Sequence, residues 1–188
     1  MFYWNKAVLD KAGVPMPPGA ENLTCFEDIV HAVAALKDMH PEIKKAVIKL
    51  NDGFSGEGNA ILKYPENLSS KEMYNWIHSN LYKAIVPVAK ELSIEMFLKK
   101  FELMEGIVEA FVEGGVKVSP SVQCRVNPKG EVDIISTHDQ VLSGEDGQVF
   151  VGAHFPADES YRSEIAAMSR SIAEVLKNEA VLGRFGID

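Results

Sequence analysis

The chain has 188 residues, enough for one ordinary domain or two small lobes with a real core. Its 19 Lys and Arg against 27 Asp and Glu leave a net charge of −8, which argues against a dedicated nucleic-acid or anionic-membrane surface, since either needs clustered basic residues. Apolar residues at 46 % and charged residues at 24 % make a globular mix. No apolar run approaches the roughly 20 residues that span a bilayer, and the start, Met-Phe-Tyr-Trp-Asn-Lys, lacks a signal peptide's apolar stretch. Cys25 and Cys124 are too few for a disulfide framework and lack metal-ligand spacing, so a reducing, cytoplasmic setting is expected.

In chain order, residues 3–12 read as a short helix stopped by Gly13 and Pro15. Thr24-Cys25-Phe26-Glu27 fits a capping box, and Ile29, Val30, Val33, Ala34 and Leu36 share one face of a helix over 25–38. Ala46–Leu50 reads as a buried strand and Ala60–Leu62 as its return. Ser69 to Glu72 is a second capping box, opening a helix to about residue 84, and another helix is expected over about 88–104. The character changes at Gly106. Ile107–Val112 is a strand, 116–126 a long strand, Asn127-Pro128-Lys129-Gly130 a turn, and 131–137 its antiparallel partner. A strand over 149–154, a helix from Ser160 to Lys177 and a strand begun at Gly183 complete the chain. The pattern is α+β, with two lobes expected at 1–105 and 106–188 and a hinge near 105–115.

The sharpest local signal joins the first strand pair: Gly53, Gly56 and Gly58 lie within six residues. Closely spaced glycines let backbone N–H groups approach a phosphate without obstruction by Cβ, and Lys49 at the end of the preceding strand offers a point charge to the same group. Neither G-x-x-x-x-G-K-[ST] nor G-x-G-x-x-G fits, and a strand rather than a helix follows. The plainer alternative is a hairpin tip with glycines at positive φ.

The order of these pieces resembles the ATP-grasp superfamily over nearly the whole chain. Ala12-Gly13-Val14-Pro15 looks like that family's entry motif, Val47-Ile48-Lys49 like its strand with a phosphate-contacting lysine, and Asn51–Asn59 like its glycine-rich lid. Val108–Gly114 looks like its interlobe strand. Ser119–Gln123, Thr137-His138-Asp139-Gln140 and Gly183–Asp188 look most like the peptide-ligase branch.

The resemblance implies a fold of two lobes, each with an antiparallel sheet and packed helices, and a nucleotide cleft between them. It implies ATP and Mg²⁺ as cofactors, and a small carboxylate, activated as an acyl phosphate, joined to an amine. Lys49 would contact the α- or β-phosphate, and Gly53, Ser55, Gly56 and Gly58 would form the lid over the phosphates. Glu109, Ala110, Phe111 and Val112 would meet adenine through backbone C=O and N–H groups, and Glu113 would bind ribose hydroxyls, although family members often carry that acid further on, where this chain has Val116 and Lys117. Arg125 and Arg184 would hold phosphate, substrate carboxylate or acyl phosphate in the catalytic step. Asp188 would be the first Mg²⁺ ligand, in a position that the family completes with a later E-x-N strand.

Each assignment has a structural alternative: Lys49 reaching solvent at a strand end, Glu109–Val112 as ordinary core strand, Arg125 and Gln123 on a solvated sheet face, Arg184 on the surface. His138 as a general base is not something the family's chemistry requires. Because the chain stops at the first candidate metal ligand, a fragment of a longer carboxylate–amine ligase, weakly active or inactive by itself, is expected. Two rivals remain: a non-catalytic nucleotide-binding or interaction module of the same fold, and a kinase-like phosphotransferase.

Overall fold

A computed structural model describes residues 6–53, 58–144 and 147–188. Residues 3–5 of the expected first helix, and Ser55 and Gly56 of the expected lid, lie outside the described residues. The chain divides into two compact units.

The first unit comprises residues 17–113 and 144–149. Its sheet has the order β1-β5-β2-β3-β4, built from β1 (Gly19–Leu23), β2 (Lys45–Leu50), β3 (Asn59–Lys63), β4 (Ile85–Pro87) and β5 (Gly106–Ala110), every pair antiparallel. Three helices pack on it: α2 (Phe26–Met39), α3 (Ser70–Ala84) and α4 (Ile94–Met104). Strand alternation sends Ala46, Ile48, Leu50, Ala60, Leu62, Val108 and Ala110 to the helix side. There they meet Ile29, Val33, Leu36, Ile77, Leu81, Phe97 and Phe101, and together these form the core.

Local chemistry starts each helix. Ser69 Oγ accepts from Glu72 N at 3.4 Å and the Glu72 carboxylate accepts from Ser69 N at 2.9 Å, the reciprocal box expected there. At α2 the box sits one residue later than expected: Cys25 is the N-cap, and Asp28 reaches back to Thr24 and Cys25. The helix expected from residue 88 begins at Ile94 because Ser93 supplies the cap, accepting from Met96 N at 3.3 Å.

The second unit comprises residues 6–16, 114–143 and 150–188. Its sheet has the order β8-β7-β6-β9, from β6 (Pro120–Val126), β7 (Val132–Ser143), β8 (Val149–His154) and β9 (Gly183–Ile187). Strand β6 is antiparallel to both β7 and β9. Helix α5 (Arg162–Asn178) packs on β6 and β7, and α1 (Lys6–Ala12) packs on α5. Val122, Cys124 and Ala173 centre its core, with Ile134, Ile165, Phe185 and Ile187 around them. Burial pushes the Cys124 thiol up to about 11, as suits a core residue rather than a nucleophile.

The mixed α and β architecture with two antiparallel sheets agrees with the sequence. The division at 105/106 does not follow the compact units: β5 pairs with β1 and β2 in the first sheet, and α1 belongs to the second unit. In the first sheet β5 fills the place between β1 and β2.

Candidate functional site

The face of the first sheet opposite the helices carries the candidate nucleotide residues. On β2 it presents Lys45, Val47 and Lys49, the alternate set to the core residues. The ladder sets Val47 opposite Ile61 on β3 and Glu109 on β5, and Lys49 opposite Asn59 and Ile107. Val47, Ile61 and Phe111 form a second, smaller apolar cluster, with Val88 packed against it.

Charge borders this apolar floor. The Lys49 ammonium pairs with the buried Glu109 carboxylate, a diagonal contact across neighbouring strands. A carboxylate so buried is tolerable only with such a partner. At the other end Lys45 Nζ lies 5.0 Å from the centre of the Phe111 ring and 3.7 Å from a Glu113 oxygen. Backbone donors are mostly committed: Ala110 N donates to Pro18 O at 2.8 Å and Phe111 N to Lys45 O at 3.1 Å. The next N–H belongs to Val112, which is 62 % exposed.

The glycine-rich turn springs from the same strands. Leu50 N donates to Gly58 O at 2.9 Å, and Asn51 N to Glu105 O at 3.1 Å. Gly53 and Gly58 close the neck: a Cβ on Gly58 would come within 2.8 Å of Gly53 Cα. Backbone proximity by itself calls for glycine at position 58. Asn59 follows the neck, and its Nδ2 donates to Gln148 Oε1 at 3.0 Å.

In the second unit, Arg125 on β6 stands opposite Arg184 on β9 and Asp133 on β7, on the face away from Cys124 and Val126. Both arginines are exposed. Two guanidiniums on neighbouring strands can hold a carboxylate or phosphate through paired N–H donors. His138 stacks edge-on with Phe155 at 5.5 Å. Asp139 is engaged in structure: it accepts from Tyr161 Oη at 2.6 Å and Asp158 N at 2.8 Å, and that bond pushes the Tyr161 hydroxyl up to about 12. Asp188 is exposed after β9, and among the described residues no group of three or more His, Cys, Asp or Glu is placed to hold a metal.

Residues 78–188, from within α3 to the last strand, match the model of the IQCH-like ATP-grasp family. The chain belongs to that family. It is 31 % identical over 186 residues to the L-propargylglycine–L-glutamate ligase of Streptantibioticus cattleyicolor, covering 97 % of this chain and 36 % of the ligase. To the IQ motif-containing protein H of Danio rerio it is 20 % identical over 210 residues, covering 97 % of this chain and 20 % of that protein. The chain thus spans about a third or less of the curated relatives it matches. In fold it is similar to the ADP complex of N5-carboxyaminoimidazole ribonucleotide synthetase, with a TM-score of 0.59 at 17 % identity over 96 % of this chain and 38 % of that one.

In this ATP-grasp chain the structure brings Lys49, Gly53, Gly58, Glu109, Ala110, Phe111 and Glu113 together in one unit, with Val112 just past the ladder. Ala110 belongs to the helix-side core, so its backbone alone can serve a ligand. Gln148, Lys45 and, of the apolar floor, Val47, Ile61 and Val88 were not read from sequence as site residues, and Asn59 was read only as the end of the lid. Two-residue alternation from Lys49 would have found Val47 and Lys45, as the same step joins Glu109 to Phe111, already expected at the adenine.

Proposed function

We propose that this chain is the ATP-binding portion of an ATP-grasp ligase, which activates a small carboxylate as an acyl phosphate for attack by an amine. The observation that carries the reading is the Lys49–Glu109 ion pair, set between a small apolar floor and the root of a glycine-rich turn. Residues of this kind fit a nucleotide: Val47, Ile61, Val88 and Phe111 offer a floor for the base, and Lys49 a cation for the phosphates. Glu109 orients the ammonium through their ion pair. Val112 N–H and nearby carbonyls of 109–112 would read the edge of adenine, and Glu113 the ribose hydroxyls. Gly53 to Gly58 would supply backbone donors and keep water from the phosphates. Arg125 and Arg184 would hold the carboxylate or the phosphoryl oxygens, where negative charge has to be neutralised.

ATP-grasp chemistry of this kind calls for Mg²⁺, which binds hard oxygens and neutralises phosphate charge. Asp188 would supply one carboxylate. A single carboxylate is an incomplete magnesium site. The two-lobe division, a reducing cytoplasmic setting and the lack of nucleic-acid or membrane partners belong to the same proposal. In its support, both cysteines are free, and among the described residues no helix is long and apolar enough to cross a membrane.

The test is calorimetry with ATP, ADP and adenosine. Lys49→Ala should weaken ATP and ADP by about tenfold or more, the worth of one charge-assisted contact, and leave adenosine little changed. Wild-type protein that binds none of the three would sink the nucleotide reading. A second reading, a non-catalytic nucleotide-binding module, is favoured by the similarity to IQ motif-containing protein H, whose name carries no ligase activity. Phosphate release that requires both a carboxylate and an amine supports the ligase; nucleotide binding without such turnover in the longest available protein supports the module.

A further inference from the structure

One side-chain contact joins the glycine-rich hairpin to a segment far along the chain. Asn59 Nδ2 donates to Gln148 Oε1 at 3.0 Å across 89 residues of sequence, and the contact is partly buried. Gln148 lies in the strap between β7 and β8, next to the first residue of β8, yet clusters with the first unit. Glycines at positive φ, 86° at Gly144 and 63° at Gly147, shape this strap just before it reaches Gln148. The backbone of Asn59 is already paired, its carbonyl accepting from Val88 N at 2.9 Å, so the side-chain bond is an added constraint and not part of the ladder.

Asn59 is the ladder partner of Lys49 and the first residue after the Gly53–Gly58 neck. Whatever fixes Asn59 therefore fixes the root of the turn and the end of β2 together. We propose that Gln148 is a positioning residue for the phosphate end of the nucleotide site: it clasps Asn59 and thereby holds Lys49 and the root of the turn, at Leu50, Asn51 and Gly58, ready for a polyphosphate. The proposal rests on the nucleotide reading above and adds to it a residue from a distant segment. Its physical basis is preorganisation, because groups ordered before binding lose less freedom when the ligand arrives. The clasp acts on the phosphates and leaves the apolar floor for the base alone.

Two substitutions separate the clasp from its consequence. Gln148→Ala removes the acceptor. The amides of Leu50 and Asn51, which close the turn's root, should then exchange faster with solvent in ligand-free protein. ATP should bind about fivefold to tenfold more weakly while adenosine is unchanged. Gln148→Glu keeps an acceptor oxygen for Asn59, so exchange should stay slow, yet it sets a carboxylate beside the ladder partner of Lys49 and should still weaken ATP selectively. Unchanged exchange in Gln148→Ala overturns the clasp, and equal weakening of ATP and adenosine overturns the positioning role. If wild-type protein binds no ATP, the nucleotide reading and the positioning role both fall, while the exchange measurement still decides whether the clasp exists.

Discussion

Gly106 shows how closely the candidate site is built against the core. A Cβ there would lie 2.3 Å from the Lys49 carbonyl oxygen and 2.4 Å from Cε2 of Phe101, a fully buried ring. Neither neighbour has room to yield, so Gly106→Ala must push β2 at Lys49 or the phenyl ring beneath it. The expected outcome is a destabilisation of about 1–3 kcal/mol in urea unfolding, with weaker ADP binding measured alongside. A variant with wild-type stability and affinity would show that the strand tolerates the shift. At this scale much was legible. Lys49 is marked by its place between a buried strand and three glycines, and Glu109 to Glu113 by the strand that follows Gly106. Gln148 was not legible, because a lone glutamine after glycine has no periodic or spacing signal, and only a tertiary contact gives it meaning.

Among the elements, α2 carries a titratable start. The Asp28 carboxylate accepts from Thr24 N at 2.8 Å, Thr24 Oγ1 at 2.9 Å and Cys25 N at 3.2 Å. These bonds, the Thr24 backbone bond foremost, hold its pKa below the ordinary 3.8. A carboxyl depressed on folding stabilises the protein above its ordinary pKa and loses that contribution as pH falls through the lowered value. Asp28→Asn should therefore lower the urea midpoint at neutral pH, and the two midpoints should converge as the solution is acidified through 3.8 and below. Parallel midpoints across that range would count against the cap. Sequence placed this cap one residue early, because Thr24 and Cys25 are both plausible starts and only the bond pattern chooses. The strands β1 and β4 escaped notice for a different reason. Gly-Ala-Glu-Asn-Leu has no alternation and contains Asn22 at a φ of 61°, so only pairing with β5 makes it a strand. Ile-Val-Pro is too short to declare itself and exists by pairing with β3.

For the whole molecule, class and order were readable because helical and strand periods are written locally, whereas membership of a unit is not. The boundary between units is set by which strands share hydrogen bonds, and β5, α1 and the 144–149 strap all belong where local pattern gives no hint. That strap changes what kinds of length variation the chain can bear. A surface turn between two adjacent strands is normally where insertions cost least. The Asn127–Gly130 turn is of that kind: its bonds, from Lys129 N and Glu131 N to Asn127 Oδ1, are all its own. Two glycines inserted there should leave ATP affinity unaltered. The same two glycines between Gly147 and Gln148 should cost affinity as Gln148→Ala does, even with the second sheet intact by circular dichroism. Two turns would then differ in how freely their length can drift, because one of them is measured against the glycine-rich hairpin with which it shares a unit.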